Sequence, residues 1–271
     1  MSLRTIRADL HNHLKTRANV ADDFDLDKVI ELGQKKLGLG GILGIVNFAD
    51  TRYEQIHDLP GAERKDLGCG FYVPRKDVLV VKGEEVPTKE GHVLVFGIER
   101  NKHITLGRSL QDTIKEVKDQ NGIIIIDHPF MRGWGGIGPY LEKHEQHLED
   151  IDAIEIFNGE ATVANIPFML NPNREALEFY RKKKEHFPHL GALTTSDGHS
   201  AAEVGRSYTK IQMPQNYDAV FLGATISTES LIGMMRGALR SATPEDGVGQ
   251  SAKWRALLHA GVVIWDHIRK S

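Results

Sequence analysis

The chain has 271 residues, of which 40% are hydrophobic and 26% charged, as in an ordinary globular protein. A net charge of −3 gives no overall attraction to nucleic acid or to an anionic membrane, and no apolar run approaches the roughly 20 residues of a membrane span. The one cysteine, Cys69, excludes an intrachain disulfide and, together with the lack of a signal-peptide pattern, predicts a cytoplasmic protein.

Short apolar runs alternate with amphipathic stretches from residue 5 onward. The apolar runs predict strands, and apolar residues at helical spacing predict helices. The predicted strands are, in chain order, 5–10, 41–48, 77–86, 92–98, 123–126, 153–157 and 190–197, with 77–86 and 92–98 paired across a short connection. The predicted helices are 26–38, 109–122 and 173–187. This alternation predicts a parallel sheet with helices outside it, closed into a barrel.

Polar side chains recur at the ends of these strands. Asp9, His11 and His13 occupy alternate positions and therefore project from one side of the first strand. Other strand ends carry further polar residues, namely Glu85, His128, Glu155, Asn158, Asp197 and His199. Functional residues of a β/α barrel lie at the carboxyl ends of its strands, where residues distant in sequence become neighbours. Imidazole and carboxylate groups together predict a site for Zn²⁺, Mn²⁺ or Fe²⁺.

The order of these residues resembles the polymerase and histidinol phosphatase family, known as PHP. Its D-x-H-x-H motif is matched by Asp9, His11 and His13, and its E-x-x-N motif by Glu155 and Asn158. The remaining motifs are matched by Gly83 and Glu85 for G-x-E, His92 for the histidine that follows, His128 and Pro129 for A-H-P (here D-H-P), and Ser196, Asp197 and His199 for S-D-x-H. The resemblance covers residues 5–240, including 227–239, which is similar to the family's closing helix.

The resemblance implies a distorted (β/α)7 TIM-like barrel, the PHP fold, which hydrolyses phosphate esters at two or three metals. It implies a first metal held by His11, His13, Glu85 and Asp197, a second held by Glu85, His92 and His128, and His199 as a ligand of a third where one is present. Asp9 would contact the ligand residues rather than a metal. A hydroxide bridging two metals would attack phosphorus while the metals neutralise the other phosphate oxygens.

One segment departs from the family pattern. The family's I-T-D-H motif reads Ile45-Val46-Asn47-Phe48 in this chain, and phenylalanine cannot bind a metal. The segment after His13 also lacks the family's S-D-G. We therefore expect two divalent metals, chosen among zinc, manganese and iron. We expect His199 to act as a ligand of altered geometry, as the catalytic acid or as a phosphate contact.

Arginines near the motifs are candidates for binding phosphate, since a guanidinium can form two parallel hydrogen bonds with it. Arg17, Arg132 and Arg206 each follow one of the motifs, and Asn158 is a fourth candidate for contact with the substrate. The net charge is slightly acidic and no strong nucleic-acid signal is present, so we expect a small phosphorylated substrate. No membrane partner is expected.

Residues 1–240 are expected to form the barrel, and residues 241–271 a helical extension packed on it. The apolar residues of this extension recur at helical spacing and predict an amphipathic helix, which could also form a dimer contact. These residues are Trp254, Leu257, Leu258, Val262 and Trp265.

Two other functions stay open from the sequence. An amidohydrolase-type metal hydrolase also begins with H-x-H, although Glu85 stands in an early bridging position where that class more often has a modified lysine. A PHP-fold module that has lost catalysis and serves in binding or scaffolding is supported by the Asn47-Phe48 change. Metal content measured together with hydrolytic turnover separates the scaffold from the enzyme.

Overall fold

The computed structural model describes residues 2–13, 26–47, 63–164, 171–215 and 227–250. Three features singled out in the sequence lie outside these residues, namely Arg17, Phe48 and the amphipathic helix expected within 251–271. The division of the chain into a barrel and a helical extension at residue 240 therefore stays a prediction.

The described residues form strands and helices that follow the predicted order. The strands are β1 (Leu3–Asp9), β2 (Gly41–Ile45), β3 (Lys65–Asp66), β4 (Gly70–Val73), β5 (Val78–Pro87), β6 (His92–Phe96), β7 (Ile123–Ile126), β8 (Ala153–Asn158), β9 (Gly191–Thr195), β10 (Tyr208–Pro214) and β11 (Gly247–Val248). The α-helices are α1 (Leu26–Leu37), α2 (Leu110–Asp119), α3 (Gly138–Leu141), α4 (Pro172–Lys184) and α5 (Thr228–Arg240). Short 3₁₀ helices span Glu145–Asp150, Glu160–Ala164 and Pro244–Asp246. Among the helices of the described residues, none has the length and apolar character needed to cross a membrane.

The strands form a nearly closed barrel. Their order is β11-β10-β1-β2-β5-β6-β7-β8-β9, with the β3–β4 hairpin attached to β5. The row closes where Thr194 on β9, the last strand, meets Thr209 on β10, the second strand from the other end. The Thr194 N–H donates to the Thr209 hydroxyl, which in turn donates to the Thr194 carbonyl. The prediction of a distorted TIM-like barrel is therefore confirmed.

The sheet predicted as parallel is parallel in two runs of strands and antiparallel elsewhere. β1, β2 and β5 run parallel to one another, as do β7, β8 and β9. β6 runs antiparallel to both β5 and β7, and β10 runs antiparallel to β1. The few residues between Pro87 and His92 can close only a hairpin, because parallel neighbours need a crossover of about a dozen residues or more. The predicted pairing of 77–86 with 92–98 is confirmed.

Two apolar layers hold the barrel together, and β7 contributes to both. Ile123 and Ile125 pack inside the barrel with residues from strands around the sheet and from α5. Ile124 and Ile126 pack outside with residues of α2 and α4. Because successive side chains of a strand point to opposite faces, a strand buried on both faces is apolar throughout. The inward-facing row of each strand leads up to the carboxyl end of the barrel, where the polar residues lie.

Candidate metal centre at the carboxyl ends of the strands

His11 and His13 follow β1 and turn their rings into the barrel mouth. Glu155 Oε1, at the end of β8, lies 2.8 Å from His11 Nδ1, and the contact is fully buried. When Nδ1 donates to this carboxylate, the lone pair of His11 Nε2 faces the centre of the cluster. A carboxylate behind a histidine in this way sets the tautomer and ring orientation that a metal ligand needs.

Donor atoms of His11, His13 and Asp197 form one group close enough to hold a metal, and Glu85 lies beside it. His11 Nε2 lies 3.2 Å from His13 Nε2 and 3.2 Å from Asp197 Oδ1. His13 Nε2 lies 3.2 Å from Glu85 Oε2 and 3.6 Å from Asp197 Oδ1. Ligands about 2.0–2.1 Å from a tetrahedral zinc ion are about 3.3–3.4 Å apart, which is the spacing seen between these atoms. The geometry of this group therefore fits a divalent metal.

A second group shares Glu85 with the first. The other oxygen of this carboxylate, Oε1, lies 2.7 Å from His92 Nδ1 and 3.2 Å from His128 Nε2. Asp127 Oδ2 lies 3.2 Å from the same His128 nitrogen. The two oxygens of Glu85 thus face two different sets of histidines.

A third group lies beside the first. His199 Nδ1 is 2.7 Å from Glu160 Oε2, and the His199 ring stacks on His13 with centroids 4.6 Å apart. Glu160 opens the 3₁₀ helix that follows β8. Its carboxylate, together with Asp197 and His199, is one of three groups in the described residues whose donor atoms are close enough to hold a metal.

The donor atoms of these groups include several without a hydrogen-bond partner in the described part of the chain. They are both oxygens of Asp127, Oδ1 of Asp197 and Nδ1 of His128. All three residues are at most 6% exposed. Buried charge without compensation is costly, so buried carboxylates are normally paired, hydrogen-bonded or bound to a cation. The residues present therefore fit divalent metal ions.

The pKa shifts of the buried carboxylates and histidines also favour positive charge at the centre of the cluster. Burial raises the pKa of Asp127 to about 7. Burial also opposes ionisation of Asp197, but His11, His199 and His13 outweigh it and lower the pKa of this carboxyl to about 2. For His128, the Asp127 and Glu85 carboxylates outweigh the effect of burial and raise the pKa to about 10. The carboxylates thus draw positive charge into the centre, which protonated histidines or metal ions can supply.

Two of these residues adopt a backbone conformation that L-residues rarely take. φ is +24° at His128 and +49° at Asp197. Such conformations cost about 1–3 kcal/mol each and persist where the surrounding structure imposes them, often at functional sites. Both residues sit just beyond a strand, where the chain bends to bring the side chain over the barrel mouth.

Asp9 and Asn158 lie behind the donor atoms. Asp9 is fully buried, and its oxygens accept the backbone N–H of Ser196 at 3.0 Å and of Gly205 at 2.7 Å. The Asn158 amide lies 3.0 Å from both Glu155 Oε2 and Asp197 Oδ2. Asn158, predicted as a contact of the substrate, is only 1% exposed and separates two carboxylates.

Two of the predicted arginines, Arg132 and Arg206, are among the described residues, and each contacts a neighbouring group. Arg132 has an exposed side chain that pairs with Glu175 on α4 at 3.3 Å. Arg206 donates to the carbonyl of Ala202 at 3.3 Å. Asn47 is buried, and no hydrogen-bond partner of its side chain is found in the described residues.

Sequence reasoning did not select Asp127 or Glu160, and it assigned no role to Glu155. Asp127 had one signal, because it replaces the alanine of the family's A-H-P motif. Glu160 had none, because it does not end a strand but reaches His199 through a 3₁₀ turn.

Fold and site together define a TIM-like barrel with a buried histidine and carboxylate centre at its mouth. No family model matches the chain. Two uncharacterized proteins of Methanocaldococcus jannaschii are similar in sequence. One is 29% identical over 162 residues, which are 57% of this chain and 82% of the relative. The other is 28% identical over 133 residues, which are 48% of this chain and 50% of the relative.

Solved structures share the fold. PsfC from Pseudomonas syringae PB-5123 has a TM-score of 0.62 at 14% identity, over 97% of this chain and 98% of that chain. Endonuclease Q in complex with a 27-mer duplex has a TM-score of 0.54 at 15% identity, and the match covers 89% of this chain and 58% of that chain. The lesion-specific endonuclease from Pyrococcus furiosus has a TM-score of 0.53 at 16% identity, and the match covers 89% of this chain and 57% of that chain. This chain thus spans less than two thirds of the length of each endonuclease chain. At 14–16% identity, these likenesses show that the fold is shared.

The comparison corrects one expectation. The sequence was interpreted as giving no strong nucleic-acid signal and favouring a small phosphorylated substrate, and this prediction is wrong. Endonuclease Q, which shares the fold, is solved with a 27-mer duplex substrate that carries an abasic lesion at the active site. The net charge of a whole chain averages over its surface, whereas binding depends on the local field at the site.

Proposed function

We propose that this chain is a metal-dependent phosphoesterase of the PHP type. The observation that carries the proposal is the division of the Glu85 carboxylate between two sets of histidines, 3.2 Å from His13 on one side and 2.7 Å from His92 on the other. The proposed first metal position is formed by His11, His13, Glu85 and Asp197, and the second by Glu85, His92 and His128. The proposed ions are two, drawn from zinc, manganese and iron.

Metals bound there would supply Lewis acids that polarise the phosphoryl group and lower the pKa of an attacking water. The protein itself supplies orientation. Glu155 orients His11 so that Nε2 faces the centre of the cluster. Asp9, two residues before His11, accepts hydrogen bonds from the backbone N–H groups of Ser196 and Gly205. The Asn158 amide holds Glu155 and Asp197 apart.

His199 is the proposed catalytic acid. Its Nδ1 faces the Glu160 carboxylate at 2.7 Å, so that a proton on Nε2 is available to the leaving oxygen of the substrate. Burial opposes protonation of His199, but the Glu160 carboxylate outweighs it and raises the pKa to about 9. Arg132 and Arg206, in loops that follow β7 and β9, are the proposed phosphate contacts.

A second, narrower candidate is cleavage of the nucleic-acid backbone. It is favoured by the two endonuclease structures, each matched over 89% of this chain. In this case the scissile bond is a phosphodiester rather than a phosphomonoester, and the same donor atoms would serve.

The test begins with elemental analysis of the purified chain beside His11→Ala and Asp197→Ala. His144→Ala is the matched control, because His144 lies at the start of a 3₁₀ helix away from the cluster. Each protein is assayed with an aryl phosphomonoester, an aryl phosphodiester and a duplex containing an abasic site. We expect about two metals per chain, with metal and turnover lowered in both site variants and unchanged in the control.

Other results would change the conclusion. Bound metal without turnover on any phosphate ester, but with cleavage of a cyclic amide, would indicate an amidohydrolase. Bound metal with no hydrolysis at all would indicate a binding or scaffolding module. If the chain binds no divalent metal even when supplied with it, the proposed function is wrong.

A further inference from the structure

Asp127 is a buried carboxylate at the inner face of the barrel. It follows the run of four isoleucines in β7, in which Ile123 and Ile125 face the interior. Asp127 continues this alternation and is fully buried. Its side chain therefore enters the barrel mouth, where its nearest charged neighbour is His128 Nε2 at 3.2 Å.

The contacts of Asp127 differ from those of the other buried carboxylates. Glu155 is surrounded by donors, including the Thr195 hydroxyl at 2.7 Å and the His128 N–H at 2.8 Å. Asp152 accepts the Ile124 N–H and pairs with Arg240. Neither oxygen of Asp127 has a hydrogen-bond partner within the described residues. Its ionic contact is with His128 Nε2 at 3.2 Å, which leaves both carboxylate oxygens able to bind a cation.

The same atoms form part of a group that could hold a metal. Donor atoms of His11, Glu85, Asp127 and His128 all lie within 4.8 Å of one another. The ligand set implied by the PHP resemblance does not use the residue before the A-H-P histidine, which is alanine in the motif. Asp127 is therefore an oxygen donor outside the ligand set that the resemblance implies.

We propose that Asp127 is a further ligand of the second metal position, beside Glu85 and His128, and that it shifts this position toward oxygen-preferring ions such as Mn²⁺. The inference rests on the proposed function, because it concerns the same centre. Carboxylate oxygens suit Mn²⁺, which accepts six ligands, whereas Zn²⁺ is satisfied by four and favours nitrogen and sulfur. Loss of one carboxylate should therefore weaken Mn²⁺ binding more than Zn²⁺ binding.

The experiment compares Asp127→Ala, which restores the family's A-H-P sequence, with Asp127→Asn, which preserves shape. Asp152→Asn is the matched control, because it alters a buried aspartate at the opposite end of the strands. Mn²⁺ and Zn²⁺ affinities are measured by titration of the metal-free proteins, with electron paramagnetic resonance of bound Mn²⁺. We expect Mn²⁺ affinity to fall about ten- to a hundredfold in both Asp127 variants and Zn²⁺ affinity to fall less.

Stability of the metal-free proteins is the second measurement. Both Asp127 variants remove one partner of the ion pair with His128, so their melting temperatures serve to show that each variant is folded. Asp152→Asn should leave both metal affinities unchanged. Unchanged Mn²⁺ affinity in folded Asp127 variants would overturn this inference while leaving the phosphoesterase intact. Failure of the unaltered chain to bind either metal would instead overturn the proposed function.

Discussion

Glu160 Oε2 lies 2.7 Å from His199 Nδ1, and His199 in turn stacks on His13 with ring centroids 4.6 Å apart. Glu160 follows β8, and His199 follows β9. The contact therefore joins two neighbouring loops at the mouth of the barrel. It restricts the orientation of the imidazole that we propose as the catalytic acid.

Glu160→Gln should reduce phosphate-ester turnover by about a hundredfold, because His199 loses the carboxylate that orients it and favours its protonated form. The measurement is kcat on an aryl phosphodiester, with elemental analysis of the same samples. Metal content should stay at the level of the unaltered chain.

Glu203→Gln is the matched control for this prediction. Glu203 accepts from the His199 backbone N–H at 3.1 Å rather than from its ring, so turnover should change little. A loss of metal in Glu160→Gln that parallels the loss of turnover would contradict the orienting role and make Glu160 a metal ligand.

Asp9→Asn should destabilise the barrel. The two Asp9 oxygens each accept a backbone N–H, one from Ser196 and one from Gly205. An asparagine offers a single acceptor oxygen and turns its own N–H groups toward the second donor. One buried N–H then lacks a partner, which costs about 1–3 kcal/mol of the free energy of unfolding. Urea denaturation of the metal-free chain measures this loss.

The exposed Asp119 on α2 provides the comparison for Asp9. Asp119→Asn should change the free energy of unfolding by no more than about 0.5 kcal/mol. Equal stability of Asp9→Asn and the unaltered chain would show that the two hydrogen bonds contribute nothing to the closure of the barrel.

Gly191→Ala should weaken the packing of α5 against β9. A Cβ at Gly191 would lie 1.8 Å from the carbonyl oxygen of Leu239, an atom of the helix backbone. The helix must therefore move, and overpacking of this kind costs about 1–3 kcal/mol. Gly233→Ala on the same helix meets nothing within 4 Å, so it should stabilise the protein by up to about 1 kcal/mol. Thermal unfolding of both variants tests the pair, and a stable Gly191→Ala would contradict the close contact.

Cys69 should give the stability of the protein a dependence on alkaline pH. Burial raises the pKa of this thiol from 9.0 to about 12. The folded state therefore holds the proton longer than the unfolded state does. The stabilising contribution of Cys69 to the free energy of unfolding is complete below pH 9 and is lost as the pH rises toward 12.

Urea unfolding at pH 8 and pH 10.5 measures this effect, with Cys69→Ala as the control that should lack the Cys69 part of the decline. The thiol should also resist iodoacetamide in the folded protein at pH 8 and react after unfolding, because the thiolate is the reactive form. Rapid alkylation of the native protein would show that Cys69 is accessible.

The sequence alone determined the identity of most strands and the residues at their ends. The run of isoleucines in β7 had to be buried on two faces. The H-x-H pattern at the end of β1 predicted two histidines that project together, and both lie just beyond the strand. These features depend on the spacing of neighbouring residues, so they can be predicted from a short stretch of sequence.

Only the tertiary structure decided which strands run antiparallel, that Asp127 has no hydrogen-bond donor in the described residues, and that Glu160 reaches His199. Each depends on segments far apart in the chain, which meet only once the barrel closes. Net charge likewise could not exclude a nucleic-acid partner, because it carries no information about where the charges stand. Periodicity determines which face of an element is buried, whereas topology determines what that face meets.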